Sequence, residues 1–150
     1  MKKKGWMILC LILGIGGVFW VNGGSDVHPE RIQREIPAPP AQEKELRSLL
    51  DTLLALYNKN GADALVRLFP FSETERKLQM AETGIDPVEH SLAALRRHGR
   101  NLSLNDIRCF SVTDSRNLFF VTGRTGNGQT LKIGLNKFRS GYGVIGITEL

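Results

Sequence analysis

A chain of 150 residues has room for one hydrophobic core and its attachments, which excludes a second domain with a core of its own. Its net charge of +5 is unevenly placed, because residues 42–95 hold six Lys/Arg against nine Asp/Glu while residues 96–139 hold nine Lys/Arg against Asp106 and Asp114 alone. The domain is thus acidic in its first half and basic in its second, and with only Cys10 and Cys109 it carries no disulfide framework.

Lys2, Lys3 and Lys4 precede a run without charge over residues 5–25, most apolar over 6–21. Positive charge ahead of an apolar run holds the N-terminus in the cytoplasm and sends the chain behind the run outward. The apolar core would be roughly 24 Å long as a helix, short of the roughly 30 Å hydrocarbon thickness but within reach if the lysines snorkel. Trp6 and Trp20 stand at its ends, where an interfacial aromatic belt would place them. Residues 1–24 are therefore expected to be a membrane anchor, with the membrane as partner of residues 6–21 and the domain outside the cytoplasm. A cleaved signal peptide is the alternative, since Val21-Asn22-Gly23 offers small residues for cleavage, and the product would then be secreted. Cys10 follows Leu9 too early in the run to be a lipoprotein acceptor.

Residues 25–41 contain Gly23-Gly24-Ser25 at their border and Pro37-Ala38-Pro39-Pro40 at their end, with no apolar period, and are expected to be a linker. His28 lies in it and reads as a solvated residue. The domain then covers residues 42–150. Over 42–60 Leu46, Leu49, Leu50, Leu53 and Tyr57 share one side of a helical wheel, with Arg47, Asp51, Asn58 and Lys59 opposite, so this stretch predicts an amphipathic helix ended by Gly61. A short helix from Ala62 carries Leu65, Leu68 and Phe69 and stops at Pro70. Ser72 and Glu75 match a capping box for a third, weaker helix. Asp86-Pro87-Val88-Glu89 places an N-cap, a proline at the first helical position and an acid behind it, so a fourth helix is expected to about His98, closed by Gly99, with Val88, Leu92 and Leu95 as its buried stripe.

After Asn101 the apolar period becomes two. Strands are predicted over 106–113, 117–125, 129–138 and 142–148. Asn127-Gly128 as a two-residue type I′ turn pairs Phe120 with Leu135 and Thr122 with Ile133. Arg139-Ser140-Gly141 as a three-residue loop pairs Leu135 with Ile145 and Ile133 with Ile147, in preference to a two-residue loop that sets Gly146 and Thr148 opposite those residues. The inner sheet face then holds Leu118, Phe120, Leu131, Ile133, Leu135, Ile145 and Ile147, ready to receive the leucine stripe of the first helix. The predicted fold class is α+β: an N-terminal single transmembrane helix, then helices packed on a curved antiparallel sheet of about four strands.

The order of a long helix, the run Tyr57-Asn58-Lys59-Asn60-Gly61-Ala62-Asp63, further helices and a meander ending Tyr142-Gly143-Val144-Ile145-Gly146-Ile147 resembles the nuclear transport factor two-like superfamily, in particular its small membrane-anchored bacterial envelope members. The resemblance implies a cone-shaped domain on the outer side of a bacterial cytoplasmic membrane. It does not imply an activity, because that superfamily hosts enzymes and scaffolds alike.

Residues that carry chemistry are sparse. His98 ends a helix, where a histidine answers the helix dipole, Asp106 opens a strand, and His90 faces solvent. No histidines or acids stand at metal-ligand spacing and no glycine-rich loop follows a strand in phosphate-binding order, so no enzyme and no cofactor is expected. The basic half offers candidate anion contacts at Arg96, Arg97, Arg100, Arg108, Arg124 and Lys132, which outside the cytoplasm would meet lipid head groups, cell-wall polymers or acidic proteins rather than nucleic acid. In the register above the outward sheet face carries Phe119, Val121, Gly134, Val144 and Gly146, an apolar surface expected to bind a second copy or another envelope protein. The expected function is that of a membrane-tethered, non-enzymatic accessory or scaffold protein. A small-molecule binder or enzyme using an apolar cone pocket is the alternative.

Overall fold

The computed structural model describes residues 34–150. The elements run β1 (Glu35–Pro37), α1 (Pro40–Asn60), a 3-10 helix (Ala62–Leu68), α2 (Glu73–Thr83), α3 (Pro87–Arg96), β2 (Leu104–Val112), β3 (Leu118–Thr125), β4 (Thr130–Phe138) and β5 (Gly141–Glu149). The strands form one sheet in chain order, each antiparallel to the next.

Two parts of the expected fold class are corrected. The sheet has five strands rather than about four, because Glu35–Pro37, inside the expected linker, pairs with β2. The prolines that suggested a linker act as structural punctuation: Pro37 closes an edge strand, and Pro40 occupies the first turn of α1, where its missing N–H is no loss. The second correction concerns the transmembrane helix. Among the described residues no helix is long and apolar enough to cross a membrane, and residues 6–21 lie outside them. The 21-residue α1 has the length, but it carries Lys44, Arg47, Asp51 and Lys59 on its solvent side.

α1 follows its period. Leu46, Leu50, Leu53 and Tyr57 are buried at spacings of four, three and four, and Gly61, at φ +83°, stops the helix with its N–H donating to the Tyr57 carbonyl at 2.7 Å. The Tyr57 hydroxyl reaches the carbonyls of Leu95, at 2.9 Å, and Gly99, donating to one at a time and tying α1 to the end of α3. Burial pushes its phenol up from the usual range. α2 begins at the expected capping box, with both reciprocal bonds between Ser72 and Glu75 present. In α3 the Asp86 carboxylate accepts from the Val88 and Glu89 amides. Burial of that carboxyl opposes ionisation, but the Arg76 guanidinium and the two amides outweigh it and hold Asp86 below its usual range. α3 buries more than its expected stripe, since Ser91 and Ala94 join Val88, Leu92 and Leu95. The Ser91 hydroxyl donates to the Pro87 carbonyl at 2.7 Å and accepts from the Ile147 N–H at 3.0 Å, so α3 is bonded to β5.

The sheet register differs from the expected one by one residue in the β3–β4 hairpin. Gly126-Asn127-Gly128 is a three-residue loop in which Gly128 alone has positive φ, +85°; the Gly128 N–H donates to the Thr125 carbonyl at 3.0 Å and the Thr125 N–H to the Gln129 carbonyl at 2.8 Å. This is a turn followed by a left-handed glycine in place of type I′. Phe119 therefore pairs with Leu135 and Val121 with Ile133. A one-residue slip turns every side chain of a strand over, so Phe119 and Val121, each 1 % exposed, lie in the core with α1 and α3, and Leu118 and Phe120 turn outward.

The β4–β5 hairpin has the two-residue loop, Arg139-Ser140, between paired Phe138 and Gly141. A bulge restores the inner pairing further along: Gly134 faces Gly146 and Ile133 faces Ile147 as expected, but Leu135 faces Val144, and Ile145 is the extra residue. Ile145 then crosses to the outward face and lies over Gly134, whose absent Cβ would stand 3.0 Å from Ile145 Cγ1 and 3.3 Å from the Phe120 ring. The inner layer consists of Cys109, Phe119, Val121, Leu131, Ile133, Leu135, Val144 and Ile147 against the helices. A smaller cluster of Val112, Leu118, Phe120 and Ile145, with Phe110 at its border, belongs to the other face.

Candidate functional site

Phe119, Val121 and Val144, expected on an outward association surface, are core residues. Gly134 and Gly146 are buried in the bulge. The five residues therefore do not make the apolar patch expected of them: the one-residue register change turns Phe119 and Val121 of β3 under the helices, the β5 bulge turns Val144 inward, and Gly134 stays on the outward face beneath Ile145 and Phe120.

The expected anion contacts divide into two groups. Arg96 pairs with Asp63 and, at 3.3 Å, with Glu89; Arg97 pairs with Glu149 at 3.2 Å; Lys132 is buried, pairs with Glu35 on β1 and stands 4.3 Å from the centre of the Phe120 ring. These three cations are already neutralised by the domain. Among the described residues Arg100, Arg108 and Arg124 enter no ion pair. Arg108 and Arg124 project from neighbouring strands on the outward face, where Arg108 is opposite Thr122 and Arg124 lies two residues further along β3, a diagonal separation of roughly 7–8 Å.

Those two arginines, with Asp106, Thr122, Gly123 and Thr130, line an open cleft of about 490 Å³. The backbone builds it in two steps. β2 carries a bulge between Asn105 and Arg108, at which Asp106 adopts φ +51°, so the strand bends away at the cleft. Gly123 admits Leu104 from the other side of the sheet, since a Cβ there would stand 2.9 Å from Leu104 Cβ. The hydroxyls of Thr122 and Thr130 are half-buried at the floor and the two guanidinium groups are exposed at the rim. Two planar donors from diagonally neighbouring positions of adjacent strands, with two hydroxyls in the same cleft, suit a carboxylate or another oxyanion.

Sequence reasoning named both arginines but not their meeting, which depends on cross-strand register. Asp106, read as a strand-opening turn residue, is indeed at an irregularity, but within the strand. His98 is almost fully buried, with Nε2 2.9 Å from Glu149 Oε1 but off the hydrogen-bonding direction, whereas His90 is exposed. His28 and Cys10 lie outside the described residues. Cys109 is a core residue, and burial pushes its thiol up despite the opposing charge of Arg47.

One further feature was missed. α2 has no buried residue. The side chains it turns toward the domain are the half-buried Arg76 and Gln79, and Arg76 forks onto Asp86 at 2.7 and 3.1 Å. Leu78 and Met80 are 50 % and 53 % exposed. A helix with polar residues inward and leucine outward is inverted relative to a helix that serves its own core. The sequence signal was the lack of a second large apolar residue three or four positions from Leu78.

No protein-family model, no curated protein and no solved structure matches this chain.

Proposed function

We propose that the chain is a non-enzymatic accessory protein of the bacterial envelope that binds an acidic segment of a partner protein in the Arg108–Arg124 cleft. The observation that carries the reading is that these two arginines share one open cleft and enter no ion pair among the described residues, while Arg96, Arg97 and Lys132 all have acids of their own. Asp106 lines the same cleft but makes no ion pair with either arginine, so two cations share one acid and the cleft keeps a net positive charge that an acidic ligand would offset. The space between helices and sheet is filled by side chains such as Leu46, Leu50, Leu53 and Leu92, which favours a surface contact over an internal ligand.

A fluorescent oligoglutamate peptide titrated against the full chain should bind, and Arg108→Ser/Arg124→Ser should weaken it about tenfold or more, equivalent to about 1.4 kcal/mol. Raising the salt should weaken the wild type as well. An Arg139→Ser control should bind as wild type; equal affinity in all three proteins would refute the cleft. The location is proposed from Lys2–Lys4 and the apolar run behind them: a reporter active only after export, fused behind Leu150, should be active, and an inactive fusion would place the domain in the cytoplasm.

A further inference from the structure

We propose that the partner is a second copy of this chain, whose α2 docks in the cleft; this rests on the reading of the cleft given above. On α2, Thr74, Leu78 and Ala81 form an exposed stripe at helical spacing, flanked by Glu75 and Glu82. Glu75 is used in the capping box and Glu73 pairs with Lys77, whereas Glu82 enters no ion pair among the described residues. The helix thus presents one apolar side chain and one free carboxylate, a turn apart. On the outward sheet face the half-buried Phe110 stands two residues from Arg108 on β2 and on the same side of the strand. The two spacings agree: four residues of helix rise about 6 Å and two residues of strand about 6.6 Å. Leu78 against Phe110 brings Glu82 to the two guanidinium groups.

The helices pack on the inner sheet face and the cleft opens on the outer one, so no molecule can satisfy its own cleft with its own α2. The contact joins two different surfaces, and such a head-to-tail contact leaves a free cleft at one end and a free helix at the other, allowing growth beyond a dimer.

Sedimentation of the full chain in non-ionic detergent tests this. The wild-type protein mass should rise with concentration through dimer and beyond, and association should weaken at least tenfold between low and high salt. Arg108→Glu/Arg124→Glu, which spoils the cleft, and Leu78→Ser/Glu82→Gln, which spoils the helix at exposed positions without creating a charge that could pair with the altered cleft, should each be monomeric with unchanged circular dichroism. An equimolar mixture should form dimers that grow no further, since it has one intact helix from the first variant and one intact cleft from the second. A wild type that stays monomeric at the highest concentration, a variant that associates like wild type, or a mixture that remains monomeric overturns the inference. If oligoglutamate still binds the monomeric wild type, the cleft reading stands and only the identity of its occupant is wrong; if oligoglutamate fails as well, both fall.

Discussion

Val121→Lys should leave the domain unfolded, while Thr122→Gln, one residue along, should fold with nearly wild-type stability. Val121 is 1 % exposed, paired across the sheet with Ile133 and Cys109, and enclosed by the helix layer. An ammonium there has no carboxylate to meet; it must either stay charged without water or shed its proton, and either route costs several kcal/mol. Small domains have about 5–15 kcal/mol in all. Thr122 is half-buried on the outward side, opposite Arg108 and Lys132, where a neutral glutamine chain can leave the sheet for solvent. Far-UV circular dichroism with thermal melts distinguishes the two. The opposite ranking would restore the type I′ register and turn β3 over.

Leu50→Ala should cost about 2–5 kcal/mol and Leu78→Ala within about 0.5 kcal/mol, although both are leucines on helices. Leu50 is 2 % exposed in the centre of the α1 stripe, so its truncation leaves a cavity between helix and sheet. Leu78 projects from a helix that buries nothing, and its loss removes little that the folded monomer uses. Urea unfolding of both variants measures the difference directly. Equal costs would mean that α2 contributes to the core after all.

The helices were legible because each is announced locally. The spacing of Leu46, Leu50, Leu53 and Tyr57, the Ser72–Glu75 box, and the Asp86-Pro87 pair are short-range signals, and each acts in the structure as its chemistry dictates. Strand positions were legible for the same reason. Faces were not, because β3 reads Leu118-Phe119-Phe120-Val121, apolar on both sides, and alternation cannot orient a strand when either face would be acceptable in the core. The decision fell to Gly126-Asn127-Gly128, which can be read as two turns differing by one residue. The faces of Phe119 and Val121 changed with it, and Val144 was turned inward separately, by the two-residue loop and bulge of the β4–β5 hairpin. The cleft was out of reach for a related reason: Arg108 and Arg124 are adjacent only after the pairing and the Asp106 bulge are known. The strand Glu35–Pro37 was hidden because three residues give no period and its proline argued for a linker.

The hydrogen bond from the Ile147 N–H to Ser91 bears on what this sheet does in a crowded compartment. β5 is an outer strand, and an unpaired row of amides on such a strand invites another chain to add itself, the route to aggregation and amyloid. α3 lies against β5 with Ser91 occupying one of those amides, and the opposite edge is only three residues long and ends at Pro37. Both open edges are thereby made poor templates for strand addition.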